Sequence, residues 1–142
     1  RGQAYNAVAL NATRAQGDIL KFGTVNTGTM VAGKIYFLNT DGLWELANAS
    51  DDTKGAKQLC CVALGLNPAV DGMLVRGVVR LSHNPGSGTV GLRHFLHTSD
   101  GELNKTAPNS NANIVRVMGY RLDNATNLIF FDPDPTYIKI TA

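Results

Sequence analysis

Apolar residues in this chain come in short runs, mostly of four to eight residues, and no stretch sustains a helical period. The runs are AVAL (7–10), DILKFGTV (18–25), KIYFL (34–38), LWEL (43–46), LCCVALGL (59–66), MLVRGVVRL (73–81), RHFL (93–96), IVRVMGYRL (114–122), LIFF (128–131) and YIKI (137–140). They are rich in Val, Ile, Leu and aromatic residues, and turn-forming clusters separate them: NTDG, NPAVDG, HNPGSG, TSDG, LDNATN and DPDP. Short β-prone runs between regular turn signals predict an all-β sandwich or barrel-like domain. Within IVRVMGYRL, Ile114, Arg116, Met118 and Tyr120 share one face, and Val115, Val117 and Gly119 the other. Within YIKI, Tyr137 and Lys139 oppose Ile138 and Ile140. Such alternation marks half-buried strands. The stretch ASDDTKGAKQ (49–58) has a capping Ser50 or Asp51, but Gly55 interrupts it and a loop is expected.

The pattern repeats. GKIYFLNTDG (33–42) aligns with GLRHFLHTSDG (91–101) through one inserted residue, so that Gly33 matches Gly91, Phe37-Leu38 matches Phe95-Leu96, and Asp41-Gly42 matches Asp100-Gly101. Downstream, the stretch 60–77 runs parallel to 114–133, with Gly65 against Gly119 and Met73-Leu74 against Leu128-Ile129. A repeat of this length, each copy a set of strands, predicts two similar antiparallel β units in one domain. The expected organisation is lead-in strands over 1–32, a first unit over 33–82, a Pro/Gly/Ser linker over 83–90 and a second unit over 91–142.

The repeat decides how the candidate chemistry reads. His94 and His97, with Asp100 and Glu102 close behind, have the composition of a metal site. Their counterparts in the first copy are Tyr36 and Asn39, and residues three apart on a strand point to opposite faces, so no metal is expected. Both histidines are expected to tune a surface. GSGTVG (86–91) matches the dinucleotide-binding fingerprint, but a strand-like run follows it where a helix is required, so no cofactor is expected. Ser82, His83 and Asp100 carry none of the context of an activated nucleophile, and the carboxylates sit mainly in Asp-Gly and Asp-Pro turns; the chain is read as a non-enzyme. Trp44 and Tyr36, with Tyr120 and Tyr137, offer a sugar-stacking surface, although core packing beside the Asp-Gly hairpins is the preferred reading. Trp44, Tyr36, His94 and His97 are therefore the candidate contact residues.

Composition narrows the partners. With 13 basic and 11 acidic residues among 142, and only 17% charged, the chain lacks the footprint of a nucleic-acid binder. No apolar run is long enough for a membrane span. The adjacent Cys60 and Cys61 point to opposite faces of one strand and are expected to be unpaired. Four Asn-x-Ser/Thr sequons, at Asn11, Asn48, Asn104 and Asn124, are read as turn sequences rather than glycosylation sites. A chain that starts at Arg1 is expected to be a processed product or a piece of something longer.

The run GKIYFLNTDGLWEL, then CCVALGLNPAVDGMLVRGVV, then FLHTSDGELNKTAP, then IVRVMGYRLDNATNLIFFDPDPTYIKI, resembles the C-terminal β domains of tailed-bacteriophage virion proteins of the tail-fibre, head-fibre and capsid-decoration type. The resemblance covers about residues 33–142 and lies in the order of the pieces. His94 and His97 depart from it, standing where Leu-Tyr or Ser-type residues are usual, and Asn111-Ala112-Asn113 replaces a Gly-Ser stretch. That family pattern carries no catalytic residue. It implies a β domain on the virion, commonly a homotrimer, in contact with other virion proteins and with loops free to touch a host-surface glycan. A capsid cement protein and a carbohydrate-binding adhesin are the alternative readings.

Overall fold

A computed structural model describes residues 4–5 and 10–141. It is all-β, as the run lengths predict; AVAL, apart from Leu10, lies outside the described residues. In the lead-in, β1 (Ala15–Leu20) and β2 (Thr24–Val25) come first. The first unit holds β3 (Ile35–Leu38), β4 (Leu43–Leu46), β5 (Cys60–Ala63) and β6 (Met73–Arg80). The second holds β7 (Arg93–Leu96), β8 (Leu103–Asn104), β9 (Ile114–Val115), β10 (Val117–Arg121) and β11 (Leu128–Phe131), and β12 (Ile138–Lys139) closes the chain. One turn of helix, α1 (Pro68–Asp71), forms within NPAVDG, where a turn was expected. Asn67 caps it by accepting from the Ala69 amide at 2.9 Å, and Pro68 starts the turn with its φ already helical.

The two units share one topology. Spatial order is β4-β3-β5-β6 in the first and β8-β7-β10-β11 in the second, with antiparallel pairing throughout, so each is a hairpin whose third strand crosses to the far side of the first. They join through β6. The strand β1 follows one edge of β6 along its length, while β5 takes Met73 and Leu74 on the other edge and β11 takes Gly77 to Arg80. Where β1 meets the middle of β6, Gly17 lies opposite Gly77. A Cβ on Gly77 would sit 2.1 Å from the Gln16 carbonyl oxygen, and one on Gly17 2.2 Å from that of Arg76. With φ at +148° and +143°, both positions are open only to glycine.

Pairing corrects the register read from the sequence. Tyr36 faces Cys61 as His94 faces Gly119, so Cys61, not Gly65, is the counterpart of Gly119. Likewise Ala63 pairs with Met73 as Arg121 pairs with Ile129, which shifts the match of the last strand by one residue. The second unit also carries a bulge: the β7–β10 register slips between Val117 and Gly119, and the run IVRVMGYRL divides at Arg116 into two strands. The predicted alternation therefore holds from Ile114 to Met118, which are buried with Arg116 between them, and reverses afterwards, where Tyr120 is exposed and Arg121 buried.

Registers and burial together show how the units meet. Ile35, Phe37, Val62 and Leu74 form the front of the first unit and line the main core. Their pairing counterparts are Arg93, Phe95, Tyr120 and Phe130, which face away from that core. The back of the first unit carries Tyr36, Trp44, Cys61, Ala63 and Met73 in a separate cluster. The corresponding back of the second unit, with Leu96, Leu103 and Ile129, lines the main core instead. The second unit thus lays its back on the front of the first. Between them Gly101 donates to Ala47 O (2.7 Å) and accepts from the Ile35 amide (2.8 Å), and Ala49 donates to His97 O (2.9 Å). The lead-in covers the two outer surfaces: Leu20, Val25 and Met30 pack on the back of the first unit, Tyr5 and Leu10 on the front of the second.

Candidate interaction face on the second unit

Three of the four sequence-selected contact residues lie inside the protein. Trp44 is 0% exposed, and its indole N–H donates to Phe22 O at 2.9 Å. Tyr36 is 3% exposed; its hydroxyl accepts from the Val31 amide at 2.9 Å, and burial raises its pKa. The lead-in segment that crosses them removes the aromatic faces from solvent, so Trp44 and Tyr36 pack in the core, the preferred reading of the sequence, and the alternative stacking surface does not form at these two residues. His94 is 0% exposed, between Leu92 O at 3.1 Å and Thr89 Oγ1 at 3.2 Å. Desolvation lowers its pKa, so it is a neutral core residue rather than a surface one. His97 alone is partly exposed, and its backbone, not its ring, ties the units together.

The other buried polar groups serve the scaffold. His83 Nε2 accepts from the Leu103 amide at 3.0 Å, which leaves its Nδ1–H buried and without a partner. Burial pushes the His83 pKa down to about 4. Arg116 is 6% exposed and meets backbone rather than a carboxylate: Nη1 donates to Gly55 O (2.6 Å) and Gln58 O (2.9 Å), and Nε to Asp134 O (2.7 Å). Arg121 is 1% exposed and holds the loop before β7 through Asn84 Oδ1 and Gly86 O. The 83–90 segment is thereby pinned to β10, and a turn closed by the Leu92 amide on Thr89 O leads into strand β7. Burial raises the Cys60 thiol to about 11 and the Cys61 thiol further still, so neither is a nucleophile near neutral pH. Among the described residues no three His, Cys, Asp or Glu side chains gather in one place, and no helix is long and apolar enough to cross a membrane.

One surface left open is the front of the second unit. Arg93, Tyr120, Phe130 and Val78 follow one another across β7, β10, β11 and β6 in register. Tyr5 and Leu10 cover the Val78 end, and the Tyr120 end is bare. Tyr120 is 42% exposed, Leu122 41%, Val90 50% and Leu92 59%. Arg93 Cζ lies 5.6 Å from the centre of the Phe95 ring, and Arg76 Cζ 5.0 Å from that of Phe130, so guanidinium groups cover the aromatic faces on both sides. Thr89, Leu92, Arg93, Phe95, Lys105 and Tyr120 line an open cleft of about 490 Å³ here, with two cations and no carboxylate. Half-exposed Tyr and Arg on a sheet are residue types that anchor protein interfaces.

Neither a protein-family profile, nor a curated protein, nor a solved structure matches this chain.

Sequence reasoning included Tyr120 among the aromatics but did not single it out, because the bulge in β10 sets its direction. Its exposure becomes readable only once Met118 and Gly119 are known to break the alternation. Leu92 and Lys105 carried no signal of their own.

Proposed function

We propose that this chain is a non-enzymatic structural subunit of a tailed-bacteriophage virion, a fibre or decoration module that assembles as a homotrimer. The observation that carries the reading is the bare front of the second unit. In the first unit Val62 and Leu64, the equivalents of Tyr120 and Leu122, are core, whereas here Tyr120 and Leu122 lie at the surface of a duplicated β scaffold, with Leu92 lining the same cleft as Tyr120. Buried polar side chains such as Arg116 and Arg121 are used on backbone carbonyls, which supports a load-carrying role rather than a chemical one. The order of sequence pieces supplies the virion context.

Two measurements test it. Multi-angle light scattering should give the mass of three chains, and a monomer at all concentrations would count against the assembly. Immunogold microscopy of phage particles should label the fibre or the head surface; a head-surface label favours a cement protein, and absence from particles removes the virion reading. A second reading, a glycan-binding adhesin, is favoured by the half-exposed Tyr120 ring beside Arg93 and Lys105. Glycan-array binding lost in Tyr120→Ala but kept in Trp44→Phe would select it.

A further inference from the structure

Arg93 and Tyr120 are register partners on β7 and β10, so their side chains leave one face of the sheet about 5 Å apart. The equivalent places in the first unit hold Ile35 and Val62, both core. Arg93 Cζ sits over the Phe95 ring, a contact that holds the guanidinium in place without using its N–H donors. Among the described residues no ion pair or hydrogen bond engages those donors. Lys105 is fixed as well. Its amide donates to Pro85 O at 2.8 Å, its ammonium reaches Ser87 O at 3.4 Å, and its stem passes Gly86, where a Cβ would lie 2.7 Å from Lys105 Cδ. The core holds that loop from beneath, since buried Arg121 donates to Asn84 Oδ1 and Gly86 O, and Thr89 Oγ1 lies 3.2 Å from His94 Nε2. Lys34, Arg76, Arg80 and Lys139 each have a carboxylate within 4 Å, whereas among the described residues neither Arg93 nor Lys105 has one.

Two positioned cations without an anion, beside a half-exposed aromatic ring, define what fits the cleft. We infer that Thr89, Leu92, Arg93, Lys105 and Tyr120 form a binding site for an acidic sugar, a pyranose carrying a carboxylate or a phosphate. The apolar face of the pyranose rests on Tyr120 and Leu92. Its anionic group accepts from the Arg93 guanidinium in the two-bond arrangement that a planar fork favours, and Lys105 supplies the second charge. A sugar suits this place better than an acidic peptide. Both edges of β7 and of β10 are already paired, so no free strand edge is offered to a peptide main chain. This deepens the glycan-binding reading of the face and rests on it.

Amide NMR titration of the full chain tests the inference with matched pairs: sialyllactose against lactose, trigalacturonate against trigalactose, and glucosyl phosphate against glucose. At least one acidic member should bind about tenfold or more tightly than its neutral partner, shifting the amides of Arg93, Phe95, Lys105 and Tyr120. The pair that responds distinguishes carboxylate from phosphate. Arg93→Gln should weaken that binding about 10- to 100-fold, and Arg93→Lys should recover only part of it. Lys105→Gln should weaken it less, and Tyr120→Ala should weaken it where Tyr120→Phe does not. Arg93, Lys105 and Tyr120 are all exposed, and circular dichroism verifies folding of each variant. Equal binding of acidic and neutral members, or binding unchanged in Arg93→Gln, would overturn the inference and leave the glycan reading standing. Hexaglutamate binding as tightly as the best sugar would overturn it in favour of an acidic peptide. No binding by any of these sugars would also overturn it, and an empty glycan array for the wild type would remove the glycan reading with it.

Discussion

Gly42 and Gly101 occupy the same place in the two Asp-Gly hairpins, with φ at +80° and +70°, yet their surroundings differ. A Cβ on Gly42 meets nothing within 4 Å, whereas on Gly101 it would lie 2.6 Å from Leu46 Cδ2 and 3.1 Å from Lys34 Cβ. Gly42→Ala should therefore cost about 1 kcal/mol of backbone strain. Gly101→Ala should cost on the order of 3 kcal/mol, because it also forces apart the contact between the units. Urea denaturation of both variants checks the contrast. His83 gives a second residue-scale expectation. Its native pKa of about 4 lies below the unfolded value near 6.5, so the native state favours the neutral ring. Stability from this group is complete above pH 6.5 and falls as pH drops towards 4, by on the order of 3 kcal/mol. His94 is shifted in the same direction and adds to the trend. Denaturation midpoints measured between pH 7.5 and 4 should show the loss, and His83→Gln, which keeps an acceptor for the Leu103 amide, should flatten it. An unchanged slope in that variant would remove His83 as the cause. Neither role was visible in the sequence, where His83 sat in a turn signal and His94 in a strand whose inner face was unassigned.

Strands were legible where alternation and turn chemistry agreed. LWEL, RHFL and LIFF have the bounds of β4, β7 and β11. The apolar run DILKFGTV spans parts of two strands, because Lys21 to Gly23 interrupt it where Phe22 O receives the Trp44 indole. Two-residue strands such as β8 and β9 are too short for a period to register. The slip at Met118 also hid which face of β10 looks outward. Arg116, by contrast, fell on the same face as Ile114 and Met118 in the sequence, and that face is buried. It ties the loop near Gly55 and Gln58 to the segment near Asp134, so Arg116→Met should leave three carbonyls short of a donor. A loss of about 2–4 kcal/mol is expected, with faster amide exchange concentrated in those two loops. Arg116→Lys should recover only part of it, since one ammonium cannot span both directions.

At the scale of the molecule, the main core is built by both units, and neither owns it. Removing the second unit would bare Ile35, Phe37, Val62 and Leu74, each 2% exposed or less. Residues 33–82 alone should accordingly fail to fold, and the whole chain should unfold in one transition, with calorimetric and van't Hoff enthalpies equal. Two separated transitions would show that the units are independent. The duplication was readable in the sequence because the first hairpin keeps Phe-Leu and Asp-Gly in step. That the copies stack like tiles rather than face one another was not readable, since it depends on which side of each sheet is covered.

Cys60 and Cys61 are consecutive, yet the first lies in the core between the units and the second beneath the lead-in. A thiol reagent therefore meets two clocks on one strand. Cys60 keeps time for parting of the units, Cys61 for lifting of the lead-in, and single-serine versions of each would let the two openings be timed separately in the native protein.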